Sequence, residues 1–151
     1  MAISRSVDVR ASAQAAYDLV SDLPGMGALS PENAGGRWVG GATGPARGAR
    51  FRGRNRNGVR RWSTSVRVEV AEPGHQFAFG ISYYRLVPIA RWGYTFVPTA
   101  DGCTVTEEWT DRRPGWFKLP AGVVTGVMDR EAATARSIEQ TLATLKATLE
   151  G

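Results

Sequence analysis

Two carboxylates, Glu107 and Glu131, fall where local periodicity turns them inward. In Val105-Thr-Glu-Glu-Trp109 the alternation that buries Val105 and Trp109 takes Glu107 with them and leaves Glu108 outside. The helical stripe Ile138, Leu142, Leu145, Leu149, extended toward the N-terminus, passes through Ala135, Glu131, Met128 and Val124. Burial raises a carboxyl pKa toward neutrality, so such a pair suits general acid/base work. It equally suits hydrogen bonding to a bound molecule, or structural pairing in which Arg37 or Arg91 neutralises Glu107. The residues alone leave all three readings open.

Around the carboxylates stands an inward aromatic set: Trp38, Phe51, Trp62, Phe77, Phe79, Trp92, Tyr94, Phe96 and Trp109. Some of these rings must fill space, because interiors are closely packed, and the rest suit the walls of a pocket for a flat apolar guest. Tyr17, Asn55, Thr64 and Tyr94 are the polar handles that would orient it. The residues expected to contact a guest are Tyr17, Asn55, Trp62, Thr64, Phe79, Trp92, Tyr94, Glu107, Trp109, Val124, Met128 and Glu131, with Glu107 and Glu131 the candidates for catalysis.

Other chemistries find little support. His75 and Cys103 are the only histidine and cysteine, so neither a zinc set nor a disulfide framework can be assembled, and His75 has no nearby nucleophile. No metal and no cofactor are expected. The loop Gly40 to Gly48 lacks the spacing of a phosphate cradle and reads as a mobile portal loop. Arg50, Arg52, Arg54 and Arg56, with Arg60 and Arg61, form an outward basic row. No aromatic residues interleave with it to stack bases, so it reads as a solvated face and nucleic acid is not an expected partner. The segment Pro114 to Gly122 carries Trp116, Phe117 and Leu119 among helix breakers. It reads as a gate, as a foot for transient membrane contact, or as a loop folded back on the helix that follows.

The elements that must position these residues alternate in period. The 151 residues fit one domain, 1–151, with a formal charge of +5, and 17 of its 19 cations are Arg. The first residues are charged where a signal peptide is apolar, and no 18-residue apolar run occurs, so a soluble cytoplasmic protein is expected. A strand over Ile3 to Val9 precedes a helix from Ala13 to Ser21 capped by Ser12, and a further turn over Met26 to Leu29. Period-two strands follow near 36–39, 50–56, 62–70, 77–81, 92–96 and 103–110, with Asn57-Gly58 as a hairpin turn. One long helix from about Val123 to Leu149 closes the chain, giving an α+β order of β-α-α-β6-α.

Within that order, the words Asp22-Leu-Pro-Gly-Met-Gly-Ala-Leu-Ser-Pro-Glu32, Gly35-Gly-Arg-Trp-Val39, Gly48-Ala-Arg-Phe-Arg-Gly53 and Val105-Thr-Glu-Glu-Trp109 resemble the polyketide cyclase/dehydrase and lipid-transport branch of the START-like (SRPBCC) superfamily. One departure is Leu29, where a tryptophan commonly precedes the Ser-Pro-Glu word. The resemblance implies a helix-grip fold: a curved seven-stranded antiparallel sheet wrapped around the C-terminal helix, with a cavity between them. It also implies binding of a small hydrophobic or amphipathic ligand such as a lipid, a polyketide or an aromatic metabolite. The alternatives are a polyketide cyclase/dehydratase with a cavity carboxylate as acid/base, and an interaction protein that uses the basic outer face.

Overall fold

The computed structural model describes residues 2–151, and its seven strands form one antiparallel sheet in the order β1-β7-β6-β5-β4-β3-β2. The strands are β1 (Ala2–Val9), β2 (Asn33–Val39), β3 (Arg50–Asn57), β4 (Arg60–Glu72), β5 (Gln76–Tyr83), β6 (Val87–Pro98) and β7 (Cys103–Asp111). Helix α1 (Ala13–Ser21) and a 3-10 turn (Leu23–Ala28) link β1 to β2; α2 (Lys118–Thr125) and α3 (Arg130–Glu150) follow β7. This is the helix-grip arrangement that the resemblance implies.

Local chemistry accounts for the boundaries. Ser12 caps α1, its hydroxyl accepting from the Ala15 amide at 3.0 Å. Pro24 sits in the first turn of the 3-10 segment, where its missing N–H costs no hydrogen bond, so the turn begins at Leu23, earlier than Met26. The hairpin expected at Asn57-Gly58 turns one residue later: Asn57 still pairs with Arg60 in the ladder, Gly58 and Val59 form the two-residue loop, and Gly58 takes the positive φ, 62°. Gly36, at φ 151°, brings the β2 backbone against the Phe51 ring, where a β-carbon would stand 2.6 Å from the ring edge.

Three expectations need correction. The C-terminal helix is not continuous from Val123 to Leu149: α2 ends at Gly126, a left-handed cap at φ 74°, and α3 starts afresh at Arg130 with Asp129 accepting from the Ala132 amide. The segment Pro114–Gly122 is mostly helical, because Pro120 falls in the first turn of α2 and breaks nothing there. The glycine loop 40–48 lines no part of the cavity; it lies at the opposite end of the sheet, where Gly48 donates to the Val68 carbonyl at 2.8 Å.

The core grades along the strands. At one end α1 lies over β5, β6 and β7, and Tyr17 packs edge-on against Phe77 and Phe96 with centroids 6.0 and 5.9 Å apart. At the other end stand the β3–β4 and β5–β6 turns and the end of β7, and there the interior is hollow. The inner face of α3 carries Thr134, Ser137, Ile138, Thr141, Leu142 and Leu145. Among the described residues no helix is long and apolar enough to cross a membrane.

Candidate functional site

The hollow end is a cavity of about 210 Å³ between the sheet, α2 and the first turns of α3. Its walls come from register. Phe79, Trp92 and Trp109 are cross-strand partners on β5, β6 and β7, and Phe77, Tyr94 and Glu107 form the next row inward. The inner row closes against the α1 side of the core, while the outer row faces empty space. Glu107 therefore stands at the floor, where solid packing ends.

Glu107 is 2% exposed. Tyr94 donates its hydroxyl to Glu107 Oε2 at 2.5 Å, and Oε1 is buried without a partner. Burial pushes the Glu107 carboxyl up to about 8 despite the lowering effect of that hydrogen bond. Burial and the neighbouring carboxyl likewise raise the Tyr94 hydroxyl well above its ordinary value, so it stays a donor. Neither arginine expected beside Glu107 reaches it. Arg91 and Arg112 both bind Glu69 on the outer face of the sheet, at 3.1 and 2.9 Å, and Arg37 is exposed. Arg5, the cross-strand partner of Glu107 on β1, turns to Glu139 of α3 at 3.8 Å.

Of the twelve residues expected to contact a guest, nine line the cavity: Asn55, Trp62, Thr64, Phe79, Trp92, Tyr94, Glu107, Trp109 and Val124. Asn55 and Thr64 are hydrogen-bonded to each other at 3.2 Å. The structure separates the other three from the site. Tyr17 is consumed by the packed end of the core. Met128 lies in the break between α2 and α3 and is 65% exposed. Glu131 faces solvent because the buried face of α3 runs through 134, 138, 141 and 145, one residue round from the extrapolated stripe, and its first turn is set by the new cap at Asp129. Glu131 instead occupies the helix N-terminus, where a negative charge is favourable. The pair of inward carboxylates thus reduces to Glu107.

Sequence reasoning missed the polar ends of the cavity. Glu32, just before β2, binds Arg130 in the first turn of α3 at 2.6 Å, and its Oε2 is buried without a partner. Arg113 forms a nearly buried pair with Asp111 at 2.8 Å. Burial raises the Asp111 carboxyl, but the guanidinium and amide of Arg113 outweigh it and hold the group below its ordinary value. Thr134 and Ser137 add hydroxyls from α3. The one available signal for Glu32 was its place in the Ser-Pro-Glu word; its partner lies 98 residues away and no local period connects them.

The arrangement is an aromatic container with a neutral acid at its floor, two ion pairs at its ends and a short helix across its mouth. The family model described as polyketide cyclase / dehydrase and lipid transport matches residues 1–150. The polyketide cyclase-like protein Cgl2372 of Corynebacterium glutamicum is 28% identical over 99% of this chain and 91% of its own, with a TM-score of 0.66. Protein CV1439 of Chromobacterium violaceum superposes with a TM-score of 0.74 at 12% identity, over 99% of this chain and 98% of its own. The di-domain ARO/CYC protein StfQ of the steffimycin biosynthetic pathway gives 0.76 at 15% identity over 99% of this chain, which spans 50% of StfQ. No curated protein matches the chain at a significant level.

Proposed function

The chain belongs to the polyketide cyclase/dehydrase and lipid-transport family, and from that premise we propose that it binds a small, largely apolar molecule bearing an oxygen atom, held beneath α2. Glu107 Oε1 carries this reading: a buried carboxyl oxygen without a partner at the floor of an aromatic hollow. Leaving such an atom unpaired costs about 1–3 kcal/mol, which a guest hydroxyl or carbonyl would recover. Tyr94 occupies Oε2, so the proton of the neutral acid is carried by Oε1, the oxygen left to pair with an acceptor on the guest. Trp62, Phe79, Trp92 and Trp109 supply flat walls, and burial of the guest contributes about 25 cal/mol per Å² of apolar surface. A lipid, a polyketide or an aromatic metabolite with one oxygenated end has these properties.

The same carboxyl supports a second reading. A group that titrates near 8 can both give and take a proton at neutral pH, which is what cyclisation or dehydration of a polyketide requires. Glu107→Gln would then abolish turnover of a candidate polyketide while leaving its binding in place.

Titration with the neutral fluorophore N-phenyl-1-naphthylamine tests the container. One saturable site is expected, weakened at least about tenfold by Ala121→Phe, which places a ring in the mouth from the inner face of α2. Equal affinity for both proteins, or no saturable binding, rejects the reading. Extraction of the purified protein with organic solvent, followed by mass spectrometry, identifies the natural guest.

A further inference from the structure

Four segments converge at the cavity mouth: the β3–β4 turn, the β5–β6 turn, the 3-10 turn Gly115–Phe117 and α2. They are joined by contacts. The Tyr83 ring lies 5.9 Å from Phe117, Phe117 lies 5.6 Å from Trp116, and the Asn57 side chain donates to the Thr125 carbonyl at 2.9 Å. Nine large apolar side chains stand exposed among the described residues, and eight of them belong to this rim or to the break after α2. Val59 and Leu86 project from the two sheet turns at 96% and 83% exposure. Trp116 does so from the 3-10 turn and Leu119 from the first turn of α2, at 69% and 64%.

The charge of the rim is one-signed. Residues 57–61, 83–87 and 112–128 contain Arg60, Arg61, Arg85, Arg112, Arg113 and Lys118 and no Asp or Glu. Arg112 and Arg113 are occupied by Glu69 and Asp111. Lys118 comes only within 4.0 Å of Asp111, and Arg60, Arg61 and Arg85 have no carboxylate partner among the described residues.

We propose that this rim docks on an anionic lipid bilayer, with Trp116, Leu119, Leu86 and Val59 entering the interface and Arg60, Arg61, Arg85 and Lys118 facing the headgroups. Separate apolar side chains on protruding turns, with an indole among them and cations beside them, match the apolar-to-charged gradient of a bilayer surface. A second copy of the chain fits poorly, since a two-fold contact would set the unpaired cations against their own copies. Docking would also place the lipid phase at the cavity. Leu119 and Val123 lie on the outer face of α2, while Ala121 and Val124 line the cavity, so the same short helix touches both. Phe117 turns partly inward against Tyr83 and serves the wall more than the foot.

Co-sedimentation with vesicles separates the outcomes. Partition onto phosphatidylcholine containing about one-third phosphatidylglycerol should exceed that onto pure phosphatidylcholine at least tenfold, and should fall with added salt. Trp116→Ser with Leu119→Ser should lower partition onto the anionic vesicles, and Arg85→Glu with Lys118→Glu should remove the anionic preference; both pairs lie on exposed positions and should unfold at the wild-type temperature. Equal sedimentation with and without anionic lipid overturns the proposal. So does a concentration-dependent dimer that both double variants dissolve. Neither result bears on whether N-phenyl-1-naphthylamine enters the cavity, so docking and containment fail separately.

Discussion

Tyr94 and Glu107 are direct cross-strand partners on β6 and β7, and their side chains meet at 2.5 Å on the buried face of the sheet. The pairing places a hydroxyl that stays protonated against a carboxyl that burial pushes up to about 8. The result is a neutral hydrogen-bonded unit with one oxygen to spare.

The raised carboxyl makes stability depend on pH. Between the ordinary value of 4.5 and about 8 the folded protein holds a proton on Glu107 that the unfolded chain releases. Its contribution is complete below the lower value, declines as pH rises, and is gone above the upper one. Glu107→Gln should match the wild type near pH 5 and exceed it at pH 8.5, by on the order of a few kcal/mol. Urea unfolding across that range measures the difference; a difference that does not grow with pH contradicts the assignment.

Tyr94→Phe removes the sole hydrogen-bond partner of Glu107. Since that bond lowers the carboxyl against the effect of burial, its loss should push Glu107 higher still, and stability at neutral pH should drop by about 1–2 kcal/mol. Carbon-13 titration of the Glu107 carboxyl reports the direction directly.

Asn57→Ala should loosen α2 without touching α3. The Asn57 amide is the tie from the β3–β4 turn to the last turn of α2, whereas α3 packs chiefly on β1. Hydrogen exchange of amides 118–126 should accelerate several-fold, with α3 protection unchanged and global stability lowered by about 1 kcal/mol or less.

Gly36→Ala should be among the most damaging small substitutions. A β-carbon there would strike the Arg52 carbonyl and come within 2.6 Å of the Phe51 ring, at a backbone angle that side chains rarely adopt. A loss of about 2–4 kcal/mol is expected in thermal or chemical unfolding.

Legibility of the fold from sequence followed the range of the signal. Helix α1 has its expected limits, because Ser12 and the 13-16-17-20 face are local. The register of Trp62, Thr64 and Val66 follows from alternation, and Glu107 shares the parity of Val105 and Trp109. The helix break at Gly126 was hidden because Val123, Val124 and Met128 continue an apolar period through it, while Thr134, Ser137 and Thr141, which do face inward, are hydroxyl residues that no apolar stripe marks. Glu131 and Met128 were misplaced by that one-residue rotation. Glu32 and Arg130 were invisible for another reason: their pairing depends on how the loop before β2 meets the start of α3.

The strand order has a consequence for how the molecule assembles. Strands β2 to β7 are a meander of sequence neighbours, whereas β1 and β2, joined by α1, occupy opposite edges. β1 must find β7 across nearly a hundred residues, as in the pairing of Val7 with Val105. Loop-closure entropy puts that contact late, after the hairpins have zipped. The grip on α3 is then a late event too, since β1 is its main contact in the sheet, and the cavity acquires its closed side only when β1 takes its place at the far edge, beside β7.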